Sequence, residues 1–252
     1  ITSPTLIKRI DTTGAIDSTF NYLDSSISNV IDLVFQNDGK IIISIQDLNG
    51  ISKVRRINHD GTIDTTFAEG SPTTGFITDL DLQSDGKCIV VGEFNNYQGP
   101  GSLKNVIRLN TNGVIDNTFN IGNSSPSGSN QLVVEVQNDG KILLGGGITL
   151  YSANFTTLGL VRFNNDGTLD TTFNSTEIGY YNFLKIKALA NGKIMLVGDY
   201  SYFGNPIAYN GSAAIHRLLN DGSLDSTYNG YFEPSVNYLG IDAEIDSTGL
   251  TY

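Results

Sequence analysis

Hydrophobic and polar positions alternate along most of this chain in short runs, and a turn containing glycine ends each run. In the stretch Arg56–Phe67, β-branched and apolar residues flank the sequence His59-Asp60-Gly61. Alternation with a period of two residues, bounded by Asp-Gly, is typical of a β-hairpin. We find no convincing 3.6-residue period over ten residues, which an amphipathic helix would need. The pattern therefore predicts an all-β protein.

Two hairpin motifs are repeated along the chain. The Arg-Asp motif, Arg56–Phe67, has four further copies: Arg9 to Phe20, Arg108 to Phe119, Arg162 to Phe173 and Arg217 to Tyr228. The Gly-Lys motif, Gln36 to Ile41, alternates with it at Gln83 to Ile89, Gln137 to Ile142, Ala190 to Ile194 and Asp246 to Tyr252. The turn glycines of the Arg-Asp motif are 47, 52, 54 and 55 residues apart. This period is near that of kelch-type propeller blades.

The turn chemistry of the Arg-Asp motif predicts its strand register. A three-residue loop, His59 to Gly61, places the glycine at the left-handed position of a G1 bulge. Ile57 then pairs with Ile63, and Arg56 with Asp64. The same register in the Gly-Lys motif makes residues 37–39 the loop and pairs the residues on either side of that turn, Phe35 and Ile41. Two hairpins per period predict four strands, which form one propeller blade.

The order of the motifs predicts how the blades are completed. The chain opens with the second hairpin of a blade and ends with the first, Gly240 to Tyr252. Pairing of these halves would close a ring and remove its exposed edges. We therefore expect a five-bladed β-propeller of four-stranded antiparallel blades, one of them shared by the N- and C-terminal hairpins. The predicted single domain, 1–252, has blades at about 24–67, 68–119, 120–173, 174–228, and 229–252 completed by 1–23.

Composition and charge narrow the possible partners. The net charge of -11 and the pI near 4.4 argue against nucleic acid or an anionic membrane surface, since both need clustered Lys and Arg. No apolar run approaches the length of a membrane span. The one cysteine, Cys88, follows Lys87 in a strand pattern and is expected to be a buried structural thiol. The chain begins at Ile1 rather than Met, and we expect it to be a fragment or a processed form.

The repeat resembles the delta-60 repeat family, which is described as a β-propeller domain of unknown function. The resemblance is carried by Gln83-Ser84-Asp85-Gly86-Lys87, Val91-Gly92-Glu93-Phe94, Arg108-Leu109-Asn110 and Asn220-Asp221-Gly222-Ser223-Leu224-Asp225. It covers essentially the whole chain. The copies Ala190-Asn191-Gly192 and Ser247-Thr248-Gly249 depart from it, because they lack the aspartate of the turn.

This resemblance implies where such proteins occur, but it identifies no functional residues. It implies proteins of bacteria and of their phages, often large and secreted or surface-borne. The family has no established catalytic residues to transfer. We therefore expect an extracellular, cell-surface or virion protein, without a cofactor.

A recurring pair of opposite charges is expected to be structural. A reaction needs one site rather than five copies, and cross-strand pairing within the hairpin explains the recurrence. The pairs are Arg9 with Asp17, Arg56 with Asp64, Arg108 with Asp116, Arg162 with Asp170, and Arg217 with Asp225.

The sequence gives little support for a metal site or for a catalytic site. Asn58-x-Asp60-Gly61 is faintly similar to a calcium loop but lacks the bidentate Glu. The two histidines, His59 and His216, offer no recognisable zinc set, so no metal site is predicted. A glycosidase would use a carboxylate pair from separate strands. The acids near blade entries that could serve are Asp32, Asp79, Asp81, Glu135 and Asp242.

Aromatic and amide residues in the loops within each blade are the most function-like feature. Such rings stack on sugars or apolar surfaces while the amides hydrogen-bond hydroxyls, and loops on a rigid scaffold often bind ligands. Alternatively, the rings fold inward and fill their own loops. The candidate ligand-binding residues are Phe94, Asn96, Tyr97, Tyr151, Asn154, Tyr200, Tyr202, Asn205 and Tyr209.

The function predicted from these loops is non-enzymatic recognition or adhesion. A phage tail or fibre protein, or a bacterial surface protein, would bind a glycan or protein of a host or neighbouring cell. The alternatives are a structural spacer that packs only against adjoining subunits, and a glycan-cleaving enzyme.

Overall fold

The computed structural model describes residues 5–72, 74–98, 104–122, 124–126, 132–150, 156–175, 181–200, 212–228 and 232–233. These residues form strands and turns, and among them no helix is long and apolar enough to cross a membrane. The prediction of an all-β chain is confirmed. The chain divides into two compact units, 1–116 and 117–252.

Unit 1 contains three antiparallel sheets. Its strands are β1 (Thr5–Ile7), β2 (Tyr22–Asp24), β3 (Ile27–Phe35), β4 (Ile41–Asp47), β5 (Ser52–Ile57), β6 (Thr74–Leu82), β7 (Cys88–Asn95) and β8 (Lys104–Leu109). Strands β1 and β2 pair in the N-terminal half-blade, residues 5–24. The sheet β3-β4-β5 forms blade 1, and β6-β7-β8 forms blade 2. The buried residues of this unit include Ile43, Ile57, Val90 and Leu109.

Unit 2 contains two further antiparallel sheets. Its strands are β9 (Ser124–Pro126), β10 (Val133–Val136), β11 (Ile142–Leu150), β12 (Thr156–Phe163), β13 (Tyr181–Ala188), β14 (Ile194–Tyr200), β15 (Ser212–Leu218) and β16 (Phe232–Glu233). In blade 3 the order is β10-β11-β12, and β9 also pairs with β11. Blade 4 has the order β13-β14-β15-β16. Leu143, Leu160, Ile194 and Leu218 are buried in the core of this unit.

The predicted hairpin registers are confirmed in blade 1. Ile57 pairs with Ile63, and Phe35 pairs with Ile41. Gly61 has a φ of 89°, in the left-handed region that favours glycine, and its N–H donates to the carbonyl oxygen of Asn58 at 2.9 Å. The local turn chemistry therefore sets the register of both hairpins.

The prediction of four-stranded blades is confirmed in part: blades 1 and 2 are three-stranded sheets among the described residues, and the chain beyond the Arg-Asp turn of blade 1 pairs with β5 through isolated bridges. After the isolated bridge between Ile57 and Ile63, the Asp64 carboxylate accepts the N–H and hydroxyl of Thr66, and Phe67 N–H donates to the Asp64 carbonyl at 3.2 Å. These bonds turn the backbone and end the pairing. Beyond this turn in blade 1, the chain pairs with β5 again at a bridge between Val54 and Gly70. In blade 4, by contrast, β16 forms a short fourth strand beside β15.

The blade count and the ring closure remain predictions. Four sheets and the half-blade lie among the described residues, whereas the segment 240–252 that was expected to complete the fifth blade lies outside them.

Candidate functional site

The Arg-Asp motif forms a hydrogen-bonded cluster at the turn end of each blade, where the Gly-Lys and Arg-Asp turns lie. In blade 1, Asp64 Oδ2 accepts Arg56 Nε and Lys40 Nζ, each at 2.7 Å, and its Oδ1 accepts the N–H and hydroxyl of Thr66. The Arg56 guanidinium also lies 4.9 Å from the centre of the Phe67 ring. One carboxylate therefore joins the two hairpins of the blade.

The structure places every predicted Arg/Asp pair within hydrogen-bonding distance. The separations are 2.8 Å for Arg9 and Asp17, 2.7 Å for Arg56 and Asp64, 2.9 Å for Arg108 and Asp116, 2.8 Å for Arg162 and Asp170, and 2.7 Å for Arg217 and Asp225.

A lysine from the Gly-Lys motif completes the cluster in the four blades, and the sequence analysis missed its role. The lysines lie 2.7 to 2.9 Å from the same carboxylates and are Lys40, Lys87, Lys141 and Lys193. A signal was present, because a lysine directly follows the turn glycine in each of these four motif copies. Its partner lies in the other hairpin, which sequence spacing alone does not reveal.

These contacts favour the ionised form of the aspartates. The hydrogen bonds from Lys40 and Thr66 hold the pKa of Asp64 well below its usual range, and those from Lys193 and Thr227 do the same for Asp225. In the half-blade, hydrogen bonds from Thr19 and then Arg9 lower the pKa of Asp17 to about 2.

The same motif also joins neighbouring blades through two hydrogen bonds, which we call the latch. Arg56 Nη1 donates to the Thr111 carbonyl at 2.6 Å, and Ala68 N–H donates to the Asn112 carbonyl at 2.7 Å. A Cβ added to Gly113, the next residue, would lie 2.5 Å from the Ala68 carbonyl oxygen. The turn therefore needs a glycine for close approach as well as for its φ of 83°. The repeated sequence of this turn is therefore explained by the packing of one blade against the next.

At the opposite end, the loop end, the hairpin loops joining the second and third strands of the blades vary in length and sequence. Blades 1 and 2 lie side by side there, because Ile77 N–H donates to Ser52 Oγ at 3.1 Å. Leu48, Ile51 and Phe76 are exposed, and Phe76 keeps 44% of its surface accessible. Unit 1 therefore presents apolar side chains at this end.

The candidate ligand-binding residues of blade 2 are not all available to a ligand. Phe94 and Tyr97 are buried in the core of unit 1, Tyr97 at 2% exposure, and their ring centres are 6.0 Å apart. Asn96 is partly buried, with a φ of 51°. The expectation that Phe94 and Tyr97 offer surface rings is corrected: they pack inward, as the alternative interpretation held, because burying them removes large apolar area from water.

The other candidate ligand-binding residues lie beyond what the structure describes. Tyr200 ends β14, and nothing is described of its side chain. The remaining candidates outside the described residues are Tyr151, Asn154, Tyr202, Asn205 and Tyr209.

The acids considered for catalysis make contacts between blades. Asp32 Oδ2 accepts Leu80 N–H at 3.1 Å in unit 1. In unit 2, Glu135 Oε1 accepts Ala188 N–H at 2.8 Å and lies 3.1 Å from Lys187 Nζ. These carboxylates thus satisfy backbone donors on the first strand of the next blade.

Among the remaining candidates, Cys88 and His216 show the surroundings expected of structural groups. Asp79 and Asp81 lie on β6 beside Asp32, and Asp242 falls outside the described residues. Cys88 is buried, and burial raises the pKa of its thiol well above the usual value. The His216 imidazole is also largely buried, which lowers its pKa. Within the described residues, no group of three or more His, Cys, Asp or Glu could hold a metal ion.

Repeated antiparallel sheets, joined by a motif of fixed geometry, define a β-propeller repeat protein. The chain belongs to the family described as domain of unknown function (DUF5122) beta-propeller, whose model matches residues 36–67, 83–119, 137–173 and 189–228. These matches span more than half of the chain, and they confirm the resemblance found in the sequence. None of the curated proteins matches this chain.

Proposed function

We propose that this chain is a non-enzymatic recognition module of an extracellular or virion assembly, and that its loop end binds a surface glycan. The observation that carries the proposal is the contrast between the two ends of the blades. At the turn end, the same side chains recur in every copy and bond to one another. At the loop end, the connections between the second and third strands differ in length and sequence from blade to blade.

The latch explains why a turn end of repeated sequence and a loop end of variable sequence suit a binding protein. Since Arg56 and Gly113 are held by contacts between blades, the turn end tolerates little sequence change. The loops at the loop end lack the repeated Arg-Asp cluster, so their sequences can differ from blade to blade. Phe76, exposed on β6, supplies a ring that can stack on the C–H face of a sugar.

The charge and the loop composition favour carbohydrate as the ligand. The net charge of -11 opposes polyanions, whereas neutral sugars present hydroxyls that amides can bind. Asn95 is exposed at the end of β7, and the sequence of residues 201–211 contains two Tyr and two Asn. The bonds of Asp32 and Glu135 to backbone N–H groups support a non-enzymatic role.

A glycan array and a whole-cell binding assay on the chain test the proposal. Phe76→Ala is expected to weaken binding at least about tenfold, since loss of stacking removes most of the contact with a sugar. Phe35→Ala is the matched control, because Phe35 is 70% exposed but lies at the turn end. A flat signal for every glycan would refute the proposal. Binding only to protein on the cells would also refute the choice of carbohydrate.

We also propose that the ring has five blades and that residues 229–252 complete the half-blade. Ile10 is 65% exposed in the described structure, whereas its counterpart Ile57 is fully buried. A first hairpin beside β1 would cover Ile10 as β4 covers Ile57.

Two alanine variants test this closure. If the ring is closed, Ile10→Ala should lower the unfolding free energy by about 2–4 kcal/mol, as Ile57→Ala should. If it is open, Ile10→Ala should change the unfolding free energy by less than about 0.5 kcal/mol. Chemical unfolding in urea measures both.

A further inference from the structure

The segment that carries Tyr97 has an unusual backbone. Among the described residues, the non-glycine positions with positive φ are Asn96 (51°), Gln98 (56°) and Asn105 (68°); the first two lie in the β7–β8 connection, and Asn105 lies near the start of β8. The left-handed region costs a residue with a Cβ on the order of 1 kcal/mol, less for Asn. Residues held in this way are concentrated at active sites, ligand clamps and switch regions.

The side chain between the first two of these positions has an unmet hydrogen-bonding group. The Tyr97 ring is buried, yet its hydroxyl has no hydrogen-bond partner among the described residues. Burial also raises the pKa of this phenol well above its usual value. A buried hydroxyl without a hydrogen-bond partner has lost its bonds to water, so the buried position of the ring is less favourable. Tyr22, equally buried in the same unit, differs because its hydroxyl accepts Arg55 Nη1 at 3.1 Å.

A few polar contacts of Gln98 hold this segment in place. Its N–H donates to the Ser71 carbonyl at 3.0 Å, and its side-chain Nε2 donates to the Gly113 carbonyl at 2.9 Å. The segment fits because residue 70 is glycine: a Cβ there would lie 2.7 Å from Tyr97 Cε1 and 2.5 Å from Gln98 Nε2. None of these bonds belongs to a strand ladder, so breaking them leaves the strands of blades 1 and 2 paired.

We propose that Tyr97 and Gln98 form a clasp that opens in solution, and that Tyr97 joins the glycan-binding surface of the loop end only when the clasp is open. The opening itself does not depend on the proposed function, whereas the role of Tyr97 in binding does. The clasp thereby limits access to the aromatic group of blade 2, and a ligand stabilises the open form by contacts that the closed form cannot make.

Hydrogen exchange of the whole chain measures the opening without any ligand. The Gln98 N–H reports the clasp, and the Ala68 N–H, bonded to the Asn112 carbonyl, reports the latch in the same unit. We expect Gln98 to exchange at least about tenfold faster than Ala68. Equal protection of the two amides would overturn the proposal, since Gln98 would then exchange only when the latch also opens.

Two variants should shift the clasp in opposite directions. Tyr97→Phe removes the unpaired hydroxyl, so exchange at Gln98 should slow by about fivefold or more. Gly70→Ala places a methyl group against the Tyr97 ring, so exchange at Gln98 should become faster while Ala68 stays unchanged. Tyr22→Phe is the control, because it removes a bonded hydroxyl and should not slow exchange at Gln98. The same rate at Gln98 in Tyr97→Phe and the unmodified chain would contradict the proposal.

The glycan array then separates this inference from the proposed function. If both hold, Gly70→Ala should bind the array glycan more tightly than the unmodified chain, and Tyr97→Phe more weakly. Binding that is unaffected by either variant overturns the role of Tyr97 but leaves the module function intact. Rapid exchange at Gln98 without glycan binding overturns the proposed function and the role of Tyr97, and leaves the clasp.

Discussion

The backbone N–H of Ala68 donates to the carbonyl oxygen of Asn112 at 2.7 Å, which joins the end of one blade to the turn of the next. Both residues are exposed loop positions, so sequence alone gives no reason to pair them. The hydrogen bond depends on the glycine that follows Asn112, because only a residue without a Cβ lets the two chains come this close.

Replacement of this glycine should be far more costly than a left-handed φ alone would explain. Gly113→Ala places a Cβ 2.5 Å from the Ala68 carbonyl oxygen and so breaks the latch. Gly50→Ala is the control, because Gly50 has a similar φ of 81° with nothing within 4 Å of its Cβ position. We expect about 1 kcal/mol of destabilisation for Gly50→Ala and at least about 2 kcal/mol more for Gly113→Ala. Equal losses in urea unfolding would contradict this.

Loss of the charge at Asp64 should destabilise blade 1. Asp64→Asn leaves Lys40 and Arg56 without their common anion, and we expect the unfolding free energy to fall by about 3 kcal/mol. Asp38→Asn is the matched control, because the Asp38 side chain is exposed and accepts the backbone N–H of Lys40, a bond that an amide oxygen can also accept. Asn191 fills the equivalent position in blade 4, where it accepts Lys193 N–H. The control should therefore change stability by less than about 0.5 kcal/mol.

Acid should destabilise the protein through the same aspartates. Their pKa values are lower in the folded chain than the value of about 3.9 in an unfolded one, and that of Asp17 falls to about 2. The folded state thus binds fewer protons, so the stabilisation is complete above about pH 5 and is lost as the pH falls towards 2 and below. Urea unfolding between pH 7 and pH 2 measures the loss. Asp64→Asn should show a shallower dependence, and an unchanged one would argue against this source.

Truncation of Tyr97 should affect stability as well as any binding. The sequence allowed Tyr97 to be either a ligand-binding ring or a ring that fills its own loop, and the structure buries it beside Phe94. Tyr97→Ala should therefore lower the unfolding free energy by about 3 kcal/mol. Phe76→Ala, at a ring that is largely exposed, should cost less than about 1 kcal/mol. Calorimetry of the two variants distinguishes a core residue from a surface residue.

Local features of the sequence were enough to predict the hairpins. The Asp-Gly turns determine the pairing of Ile57 with Ile63, because turn length and the left-handed glycine leave one register. The interruption at Asp64 could not be predicted in this way. There, side-chain hydrogen bonds to Thr66 compete with strand pairing, and their outcome depends on the lysine and arginine that hold the carboxylate.

The candidate site was harder to predict, because burial is decided by distant contacts. Tyr97 packs inward where Gly70 leaves room for it, 27 positions earlier in the chain. Nothing in the aromatic-amide composition of the loop distinguishes a ring that fills such a space from one that meets a ligand. Phe76 escaped attention for the converse reason, since an aromatic residue within a strand is ordinarily buried.

The latch also bears on how such proteins can change in size. The same amide-to-carbonyl bond recurs within the units between Asn21 and Asp60, Ala68 and Asn112, Asn120 and Asp166, and Asn174 and Asp221. A blade therefore offers its neighbour the same docking geometry wherever it stands in the chain. Duplication or deletion of one genetic repeat gives a new junction that already fits, so the number of repeats can evolve without compensating changes at each interface.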